Sequence, residues 1–354
     1  MSRAVSQQVV VIVGASSGIG RATAAAFAAR GAKVVCAARN AEALDTLVAE
    51  IHRAGGTAVA QPTDITDPAA VRALVRAAEQ AYGRIDTWVN VAGVGVWGRA
   101  EDITDEEFDR VMRVNYLGHV HGARAALPAL RRAGGGGIIG VSSVEGVRAV
   151  PLQAPYAASK FAVRAFYDCL RIELAQEGAP IAVTTILPAS IATPFFENAR
   201  SKLGAMPKPP PPVYAPELVA QAIVRAAAHP RREVPVGGAA AALILAQRLA
   251  PALSDAVLAV RRFGDGSQRT PRPDNGRDNL DAPLPGPGQV HGTFPGRVLR
   301  RSPYTRLIAA RRRPGELLLA AFSALNRRRS ARASTSPAPA GATILQFPGD
   351  VSGR

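Results

Sequence analysis

The chain has 354 residues, of which 47% are hydrophobic and 20% charged, so it can bury a large core and a wholly disordered protein is excluded. Its two cysteines, Cys36 and Cys169, lie in apolar segments, which excludes a disulfide scaffold and indicates a reducing compartment. The formal net charge is +16, and residues 261–354 carry +11 of it, so the last quarter of the chain is a basic appendage.

Short apolar runs alternate with longer helical patterns along residues 9–236. The predicted strands are 9–13, 33–38, 57–61, 85–90, 137–142, 181–187 and 233–236. The predicted helices are 21–30, 41–53, 68–82, 106–130, 156–176 and 216–229. This alternation predicts an α/β fold over residues 1–237, with a doubly wound parallel sheet of about seven strands and helices on both faces.

The composition changes after residue 237. We predict an apolar helical segment at 238–263, a Pro/Gly/Arg-rich extension at 264–330 with a short apolar helix at 317–325, and a disordered tail at 331–354. No uninterrupted apolar stretch reaches the roughly 20 residues of a spanning helix, and residues 1–8 lack the pattern of a signal peptide. The arginines that flank the apolar segments fit either helices packed on the domain or a partner, or a peripheral membrane contact.

A glycine-rich turn joins the first predicted strand to the first helix. It reads Gly14-Ala-Ser-Ser-Gly18-Ile-Gly20, a G-x-x-x-G-x-G spacing. Glycines let the backbone approach a pyrophosphate, and the N-terminus of a helix offers it free N–H groups and a positive dipole end. The alternative is a tight structural turn, but the flanking strand and helix favour a dinucleotide site.

The residues that end the second strand bear on the choice of nucleotide. An NAD-selective site usually has a carboxylate here for the ribose 2′-hydroxyl, whereas this chain reads Ala37-Ala-Arg39-Asn40. Arg39 can make a bidentate contact to a 2′-phosphate, so the sequence favours NADP(H) over NAD(H). The alternative is that Arg39 is a solvated surface charge.

Tyr156 and Lys160 are four residues apart and share one face of a predicted helix. An ammonium group beside a phenol favours phenolate and lowers its pKa from about 10, which gives an acid/base usable near neutral pH. Ser142 and Ser143 end the fifth strand, at the edge of a parallel sheet where ligands bind. Each pattern also occurs on ordinary helix surfaces and turns.

The ordered set of motifs resembles the short-chain dehydrogenase/reductase family, in its single-domain Rossmann-type form. The resemblance rests on the GASSGIG turn, Asp64, Asn90-Val-Ala-Gly93, Asn115, Ser143, Tyr156-x-x-x-Lys160 and the PASIATP segment at 188–194. It covers residues 7–237. Val13, Val91 and Ala189 depart from the family's pattern, all at supporting positions.

The resemblance implies a role for four catalytic residues. Tyr156 would exchange a proton with the substrate oxygen, and Lys160 would hold the nicotinamide ribose and lower the pKa of Tyr156. Ser143, rather than Ser142, would bind the substrate oxygen. Asn115 would kink its helix and hold a water in a proton relay to Lys160.

The resemblance also implies the cofactor site. Asp64 would contact adenine, Asn90 would steady the sheet, and Ile191 and Thr193 would lie beside the carboxamide. The whole cofactor set is Gly14, Ser16, Ser17, Gly18, Ile19, Gly20, Arg39, Asp64, Ile65, Asn90, Ala92, Gly93, Tyr156, Lys160, Pro188, Ile191 and Thr193. No metal site is expected.

Two hypotheses for the function follow. The first is an NADP-dependent oxidoreductase that transfers a hydride between nicotinamide and a lipophilic carbonyl compound or alcohol. The second is an NADP(H)-binding scaffold or sensor with a membrane- or partner-binding tail, against which the intact proton-transfer residues argue. We expect a cytoplasmic homo-oligomer, with peripheral membrane contact through the extension, and no nucleic-acid partner.

Three further features complete the expectations for the site. Residues 190–213 are predicted to form a lid over the substrate. Trp97, Phe195 and Phe196 either line the pocket or belong to the core. Glu145 is interpreted as a solvated carboxylate.

Overall fold

The computed structural model describes residues 3–260 and 265–305. The apolar helix predicted at 317–325 and the disordered tail predicted at 331–354 lie outside the described residues. The domain boundaries after residues 237, 263 and 330 stay predictions.

Seven parallel strands form the central sheet. They are β1 (Val9–Val13), β2 (Lys33–Ala38), β3 (Thr57–Pro62), β4 (Thr87–Asn90), β5 (Gly136–Val141), β6 (Ile181–Pro188) and β7 (Glu233–Val236). Their order across the sheet is β7-β6-β5-β4-β1-β2-β3, so the direction of winding reverses between β1 and β4. The predicted doubly wound parallel sheet is thereby confirmed, and its central strand β1 is apolar throughout because both faces are covered.

Helices cover both faces of the sheet. They are α1 (Gly18–Ala28), α2 (Ala41–Arg53), α3 (Pro68–Tyr82), α4 (Asp105–Met112), α5 (Gly118–Arg132), α6 (Ala154–Gln176), α7 (Pro216–Ala228), α8 (Gly238–Leu249) and α9 (Pro251–Ala259). Side chains alternate along β1: Val10 and Ile12 pack in the layer of α1, α2 and α7, and Val11 and Val13 in the layer of α3, α5 and α6.

The long helix predicted at 106–130 is interrupted. A π-helical turn, Arg113–Leu117, separates α4 from α5 and contains the buried Asn115. Such turns widen the helix by one residue and are frequent at functional sites. A local break of this kind leaves the apolar periodicity of the flanking helices unchanged, so the sequence pattern does not reveal it.

The apolar segment after β7 forms two helices instead of one. α8 and α9 meet at Ala250 and are bent by 118°. Pro251 opens α9, where its missing N–H costs nothing, but it would interrupt a continuous helix. Among the described residues, no single helix is long and apolar enough to cross a membrane. Taken together, the two bent helices α8 and α9 are long and apolar enough by length and composition.

Residues 265–305 return to the domain. Arg269–Pro273 pairs antiparallel with Ala205–Pro207, and Val298–Leu299 pairs parallel with Val213–Tyr214. The backbone between them is irregular, as the proline and glycine content predicts. It is nevertheless packed on the domain, because Leu280 is only 1% exposed and lies in the core layer of α3, α5 and α6.

Candidate active site

A cavity of about 1020 Å³ lies at the carboxyl edge of the sheet, beside the point where the winding reverses. Ligands of open α/β sheets bind at this position, because loops from neighbouring strands diverge there and leave a crevice. The residues that follow β1, β2, β3, β4, β5 and β6 all contribute to its wall. The topology therefore brings residues distant in sequence to one site.

The glycine-rich turn lies at the floor of this cavity. Gly14 has a φ of +90°, and a Cβ placed there would lie 2.6 Å from the backbone nitrogen of Ala92. A Cβ on Gly20 would lie 1.9 Å from the carbonyl oxygen of Gly14. Only glycine fits at both positions, so the turn is tight and α1 begins at Gly18 with its N-terminus at the cavity. This cradle suits a dinucleotide pyrophosphate.

Two charged residues mark one end of the cavity. Arg39 and Asp64 follow β2 and β3 and both line the wall. Asp64 Oδ1 accepts hydrogen bonds from the backbone N–H and the hydroxyl of Thr66, each at 2.8 Å. Burial acts to raise the pKa of Asp64, but these hydrogen bonds and the charges of Arg110 and Arg39 lower it overall. Asp64 is thus held as a carboxylate.

Ser143, Tyr156 and Lys160 line the other end together. Lys160 Nζ donates a hydrogen bond to the carbonyl oxygen of Val141 at 3.1 Å and lies 5.4 Å from the centroid of the Tyr156 ring. Ser142 Oγ donates to the backbone carbonyl of Lys160 at 2.8 Å, which ties β5 to α6. The hydroxyl of Ser143 instead accepts the N–H of Glu145 at 3.0 Å.

The pKa of Tyr156 departs from the sequence-based expectation. Burial raises it well above its usual value of 10.0, the charge of Glu145 raises it further, and the Ser143 hydroxyl acts in the opposite direction. The predicted lowering by Lys160 is wrong for this structure, because desolvation dominates and the ammonium group is directed at Val141. Burial in turn lowers the pKa of Lys160 to about 8, with the charge of Glu145 raising it.

Three of the predicted site residues support the cavity without lining it: Gly20, Asn90 and Asn115. Asn115 Oδ1 accepts the N–H of Val94 at 2.8 Å, and its Nδ2 donates to the Val94 carbonyl at 2.9 Å and to Ser159 Oγ at 3.1 Å. It thereby joins the loop after β4 to α6. Asn90 Nδ2 donates to the Gly118 carbonyl at 3.4 Å. The other predicted cofactor residues line the cavity.

An aromatic cluster forms the wall beside Tyr156. The Phe195 ring lies 5.2 Å from the Tyr156 ring, and Phe195 and Phe196 both line the cavity. Trp97 is fully buried behind them, with its ring 5.4 Å from Phe195 and 5.5 Å from Phe196. The two phenylalanines are therefore pocket residues, and Trp97 is the core residue that supports them.

Comparison with known proteins assigns the family. The family model of short chain dehydrogenases matches residues 8–204, more than half of the chain. The chain belongs to the short-chain dehydrogenase/reductase family. It is an NAD(P)-dependent dehydrogenase/reductase with a Rossmann-type fold, in a family that acts on small carbonyl compounds and alcohols and often forms oligomers.

Two curated relatives extend this likeness. This dehydrogenase/reductase is 40% identical over 302 residues to the uncharacterised oxidoreductase YxnA of Bacillus subtilis strain 168, covering 84% of each chain. It is 38% identical over 264 residues to dehydrogenase/reductase SDR family member 7B of Bos taurus, covering 72% of this chain and 81% of the relative. Because the match with YxnA spans 84% of this chain, it must extend beyond residue 264, whereas the family model ends at residue 204.

Solved structures with bound nucleotides are also similar. A short-chain dehydrogenase/reductase from Burkholderia phymatum in complex with NAD has a TM-score of 0.64 and 28% identity, over 70% of this chain and 95% of that one. An alcohol dehydrogenase from Thermococcus sibiricus complexed with 5-hydroxy-NADP has a TM-score of 0.56 and 27% identity, over 65% and 95%. Because the two hold different nucleotides, the likeness supports NAD(P) binding in general.

Glu145 is a cavity residue of this dehydrogenase/reductase that the sequence reading misplaced. It lines the cavity with Tyr156 and Lys160, and its Oε2 atom is buried without a hydrogen-bond partner. Burial raises its pKa from 4.5 to about 8, while the charge of Lys160 lowers it. The interpretation as a solvated carboxylate is therefore wrong. Its position in a short turn after β5 gives no periodicity from which burial could be predicted.

A second part of the site that was missed is the segment 275–293, which we call the strap. The strap lines the cavity next to the glycine-rich turn, through Asn279, the run 283–289 and Thr293. The N–H of Gly18 donates to the carbonyl of Gln289 at 2.9 Å. A Cβ at Gly288 would lie 2.2 Å from the carbonyl oxygen of Ser16, so the two backbones are in close contact.

The strap is held by the residues that end β2. Arg39 donates to the carbonyls of Asn279 and Asp281 through Nη2 and Nη1, at 2.5 and 2.9 Å. Asn40 Nδ2 donates to the carbonyls of Leu284 and Gly286, at 2.7 and 3.1 Å. Two donors of the Arg39 guanidinium are thus bonded to backbone oxygens, out of the five that an arginine has.

Arg200 fastens the strap to the predicted lid at 190–213. Its Nε and Nη2 atoms contact Asp278 at 2.9 and 3.2 Å, and Nη2 contacts Asp281 at 2.8 Å. Lys202 Nζ lies 3.0 Å from Glu107 at the start of α4. The lid segment is therefore connected to both the strap and the domain, while its opening and closing stay a prediction.

Metal ligands are not clustered in the described residues. Within 3–260 and 265–305, no group of three or more His, Cys, Asp and Glu side chains is arranged to hold a metal ion.

Proposed function

We propose that the protein is an NADP(H)-dependent oxidoreductase that transfers a hydride between nicotinamide and a lipophilic carbonyl compound or its alcohol, with Tyr156 as the acid/base. One observation carries the proposal: Ser143, Tyr156 and Lys160 face the same cavity as the glycine-rich turn and Arg39. Proton transfer and nucleotide binding can therefore take place in one continuous space.

Each residue at the reacting end has a role in this proposal. When bound, the nicotinamide supplies or accepts the hydride. The Ser143 hydroxyl binds and orients the substrate oxygen, and the neutral phenol of Tyr156 donates a proton to it during reduction. Lys160 would hold the nicotinamide ribose. Asn115 positions α6 through Ser159 and, in the family's manner, would hold a water beside Lys160.

The remaining predicted cofactor residues form the rest of the binding surface. The turn from Gly14 to Gly20 would bind the pyrophosphate through backbone N–H groups, with the bond between the Gly18 N–H and the Gln289 carbonyl released, and Asp64 with Ile65 would contact the adenine. The nicotinamide ribose and carboxamide would lie along the part of the cavity wall formed by Ala92, Gly93, Pro188, Ile191 and Thr193.

The preference for NADP(H) is supported by the end of β2. Residues 37–40 hold no carboxylate that would repel a 2′-phosphate, and Arg39 lines the cavity. Arg39 retains donors for a phosphate, because only two of its N–H groups are bonded to the strap. An apolar substrate is supported by the wall of Val144, Val150, Phe195, Phe196 and Met206.

Tyr156→Phe tests the proposed chemistry. It removes only the phenolic oxygen, so we expect turnover to fall about 10²- to 10⁴-fold while NADPH still binds. Tyr82→Phe is the matched control, because it removes a buried phenol that has no hydrogen-bond partner and lies outside the cavity. Steady-state rates across a panel of ketones and aldehydes are the measurement. Full turnover by Tyr156→Phe would refute the role of Tyr156, whereas a panel that stays silent despite tight NADPH binding would favour the scaffold or sensor hypothesis.

We also propose a homo-oligomer, supported by the outer face of α6. Exposed residues recur there at helical spacing and form an apolar stripe of Ala158, Phe161, Ala165 and Cys169. Light scattering of Phe161→Glu against the wild type is the measurement, and an unchanged mass would count against this surface.

A cytoplasmic location with peripheral membrane contact is the last part of the proposal. Cys36 and Cys169 are both free thiols, which suits a reducing compartment. Leu245, Leu249, Leu253 and Val257 on α8 and α9 are exposed, between 46% and 76%. Exposed Arg248 lies among them, an arrangement that favours the interface of an anionic membrane.

A further inference from the structure

The buried carboxyl group of Glu145 is the feature that the proposed hydride transfer leaves unused. Glu145 lies in the short helical turn Val144–Gly146 after β5, two residues beyond Ser143. The Ser143 hydroxyl accepts its backbone N–H at 3.0 Å, which fixes the turn. Its side chain lines the same cavity as Tyr156 and Lys160. The group therefore stands next to the place where a substrate would react.

No neighbouring side chain satisfies this carboxyl group. Its Oε2 atom is buried and accepts no hydrogen bond. Lys160 directs its ammonium group to the carbonyl of Val141, 3.1 Å away. Arg148 is the nearest arginine in sequence, but it reaches away to Gln247 at 3.0 Å and Asp255 at 2.6 Å. Within the described residues, neither Lys160 nor Arg148 thus forms a hydrogen bond or an ion pair with Glu145.

An unsatisfied buried carboxyl is unusual and unfavourable. Buried polar side chains nearly always have a partner, and leaving one without costs free energy that a bound donor would recover. The opposite wall is apolar, formed by Phe195 and Phe196. A substrate that fills this cavity with hydrocarbon alone would leave Oε2 unpaired, whereas one with a suitably placed donor would pair it.

The protonation of Glu145 indicates the kind of donor. Burial raises its pKa to about 8, so the group is largely uncharged at neutral pH. An uncharged carboxyl both donates and accepts a hydrogen bond, as a hydroxyl group does. It therefore matches a neutral hydroxyl better than an ammonium group, whose charge would need a carboxylate.

We propose that Glu145 is a specificity-determining residue whose carboxyl group binds a hydroxyl substituent of the substrate. The protein therefore prefers hydroxylated carbonyl compounds and diols to plain ketones and alcohols of the same carbon skeleton. This inference rests on the proposed function. It assigns the substrate class, which the family membership leaves open.

Matched substrate pairs test the assignment. The probes are cyclohexanone against 2-hydroxycyclohexanone, and 2-octanone against 3-hydroxy-2-octanone, each reduced with NADPH. We expect the wild type to favour the hydroxylated member of each pair by about tenfold or more in kcat/KM, because a site built for a hydroxyl rejects the analogue that lacks it. Glu145→Leu should remove or reverse that ratio. Glu145→Gln, which keeps an acceptor and a donor, should retain part of it.

The ratio within a pair separates recognition from other roles of Glu145. A change in the pKa of Tyr156 or in the folding of the turn would slow both members equally and leave the ratio unchanged. Equal loss for both members in Glu145→Leu would therefore overturn the proposal, as would a wild type that prefers the plain ketones or accepts neither member of any pair. Failure of the proposed function is recognised separately on the wider panel of ketones and aldehydes, where Tyr156→Phe would then match the wild type or the wild type would reduce no compound.

Discussion

Two adjacent serines show how the site depends on single side chains. Ser142 donates its hydroxyl to the carbonyl of Lys160 and so connects β5 to α6. Ser143, one residue later on an extended backbone, also lines the cavity with Tyr156, and its hydroxyl accepts the N–H of Glu145. One residue anchors the catalytic helix, and the other is available to a substrate oxygen.

Glu145 should leave a signature in the pH dependence of stability. Its pKa is about 8 in the folded chain and 4.5 when unperturbed, so between these values the folded chain retains a proton that the unfolded chain has released. This contribution is fully present below pH 4.5 and is lost as the pH rises through 8. We expect the unfolding free energy of the wild type to fall relative to Glu145→Gln over that interval, by at most about 1.4 kcal/mol per pH unit.

Urea unfolding of the cofactor-free protein from about pH 5 to pH 8 is the measurement. Glu173→Gln is the control, because Glu173 is exposed on α6. Lys160 does not obscure the effect. Its pKa is lowered from 10.5 to about 8, so its own contribution changes above pH 8. Parallel stability curves for the wild type and Glu145→Gln would show that the carboxyl group titrates normally.

The sequence predicted single residues well where a motif has fixed spacing. Tyr156 and Lys160 were found because four residues make one helical turn, and the structure places both in the cavity. Glu145 was misjudged because its turn packs against α6, β6 and α8, and these tertiary contacts leave no pattern in the local sequence. The direction of the Tyr156 pKa shift was missed for the same reason, since desolvation depends on the whole wall.

At the scale of elements, the strap closes one side of the nucleotide cavity. It contacts the glycine-rich turn at Gly18 and the end of β2 at Arg39 and Asn40. Arg200 holds it through Asp278 and Asp281. A dinucleotide that enters or leaves beside Arg39 has to displace these contacts. The strap should therefore slow exchange of the cofactor in both directions.

Asp278→Asn should accelerate the release of NADPH. It removes a charged partner that contacts two nitrogens of Arg200. A partly exposed ion pair of this kind contributes about 1 kcal/mol, so we expect NADPH to dissociate roughly three- to tenfold faster. Asp274→Asn is the control, because Asp274 has the same charge and lies just outside the strap. Stopped-flow displacement of bound NADPH is the measurement. Equal rates for all three proteins would show that the strap does not gate the site.

Elements were predictable in proportion to how locally they are encoded. β2 and α2 begin and end where the apolar pattern predicts. The family resemblance led us to expect that Asn115 kinks its helix, but the apolar pattern did not indicate the π-helical turn, because Asn115 pairs there with Val94 and Ser159, which are distant in sequence. The strap was expected to be an irregular linker. Its conformation is irregular, but backbone carbonyls bonded to Arg39 hold it in place, and composition carries no information on such contacts.

At the scale of the whole molecule, apolar exposure is concentrated on one end. Eight large hydrophobic residues of the described chain are exposed, and five of them lie on α8, on α9 or directly after α9: Leu245, Leu249, Leu253, Val257 and Val260. The basic appendage follows immediately, with most of the net charge of the chain. An apolar face beside positive charge is the combination that attracts a protein to anionic lipid.

The full chain should float with vesicles that contain anionic phosphatidylglycerol and not with neutral phosphatidylcholine vesicles. Leu249→Asp combined with Leu253→Asp should abolish flotation, because these side chains are 76% and 65% exposed and would no longer enter the interface. Gln80→Asp, at an exposed position on α3 and away from the apolar stripe of α6, is the control and should float like the wild type. Flotation of the double variant equal to that of the wild type would refute the membrane contact.

The affinity of the purified protein for NADPH and NADH, in the wild type and in Arg39→Asp, tests the central claim most directly. Fluorescence titration should show NADPH bound about tenfold or more tightly than NADH in the wild type, and the reverse order in Arg39→Asp. Loosening of the strap by the substitution would affect both nucleotides alike, so the ratio reports on the 2′-phosphate. Equal affinities in the wild type, or no binding of either nucleotide, would contradict an NADP(H)-dependent oxidoreductase.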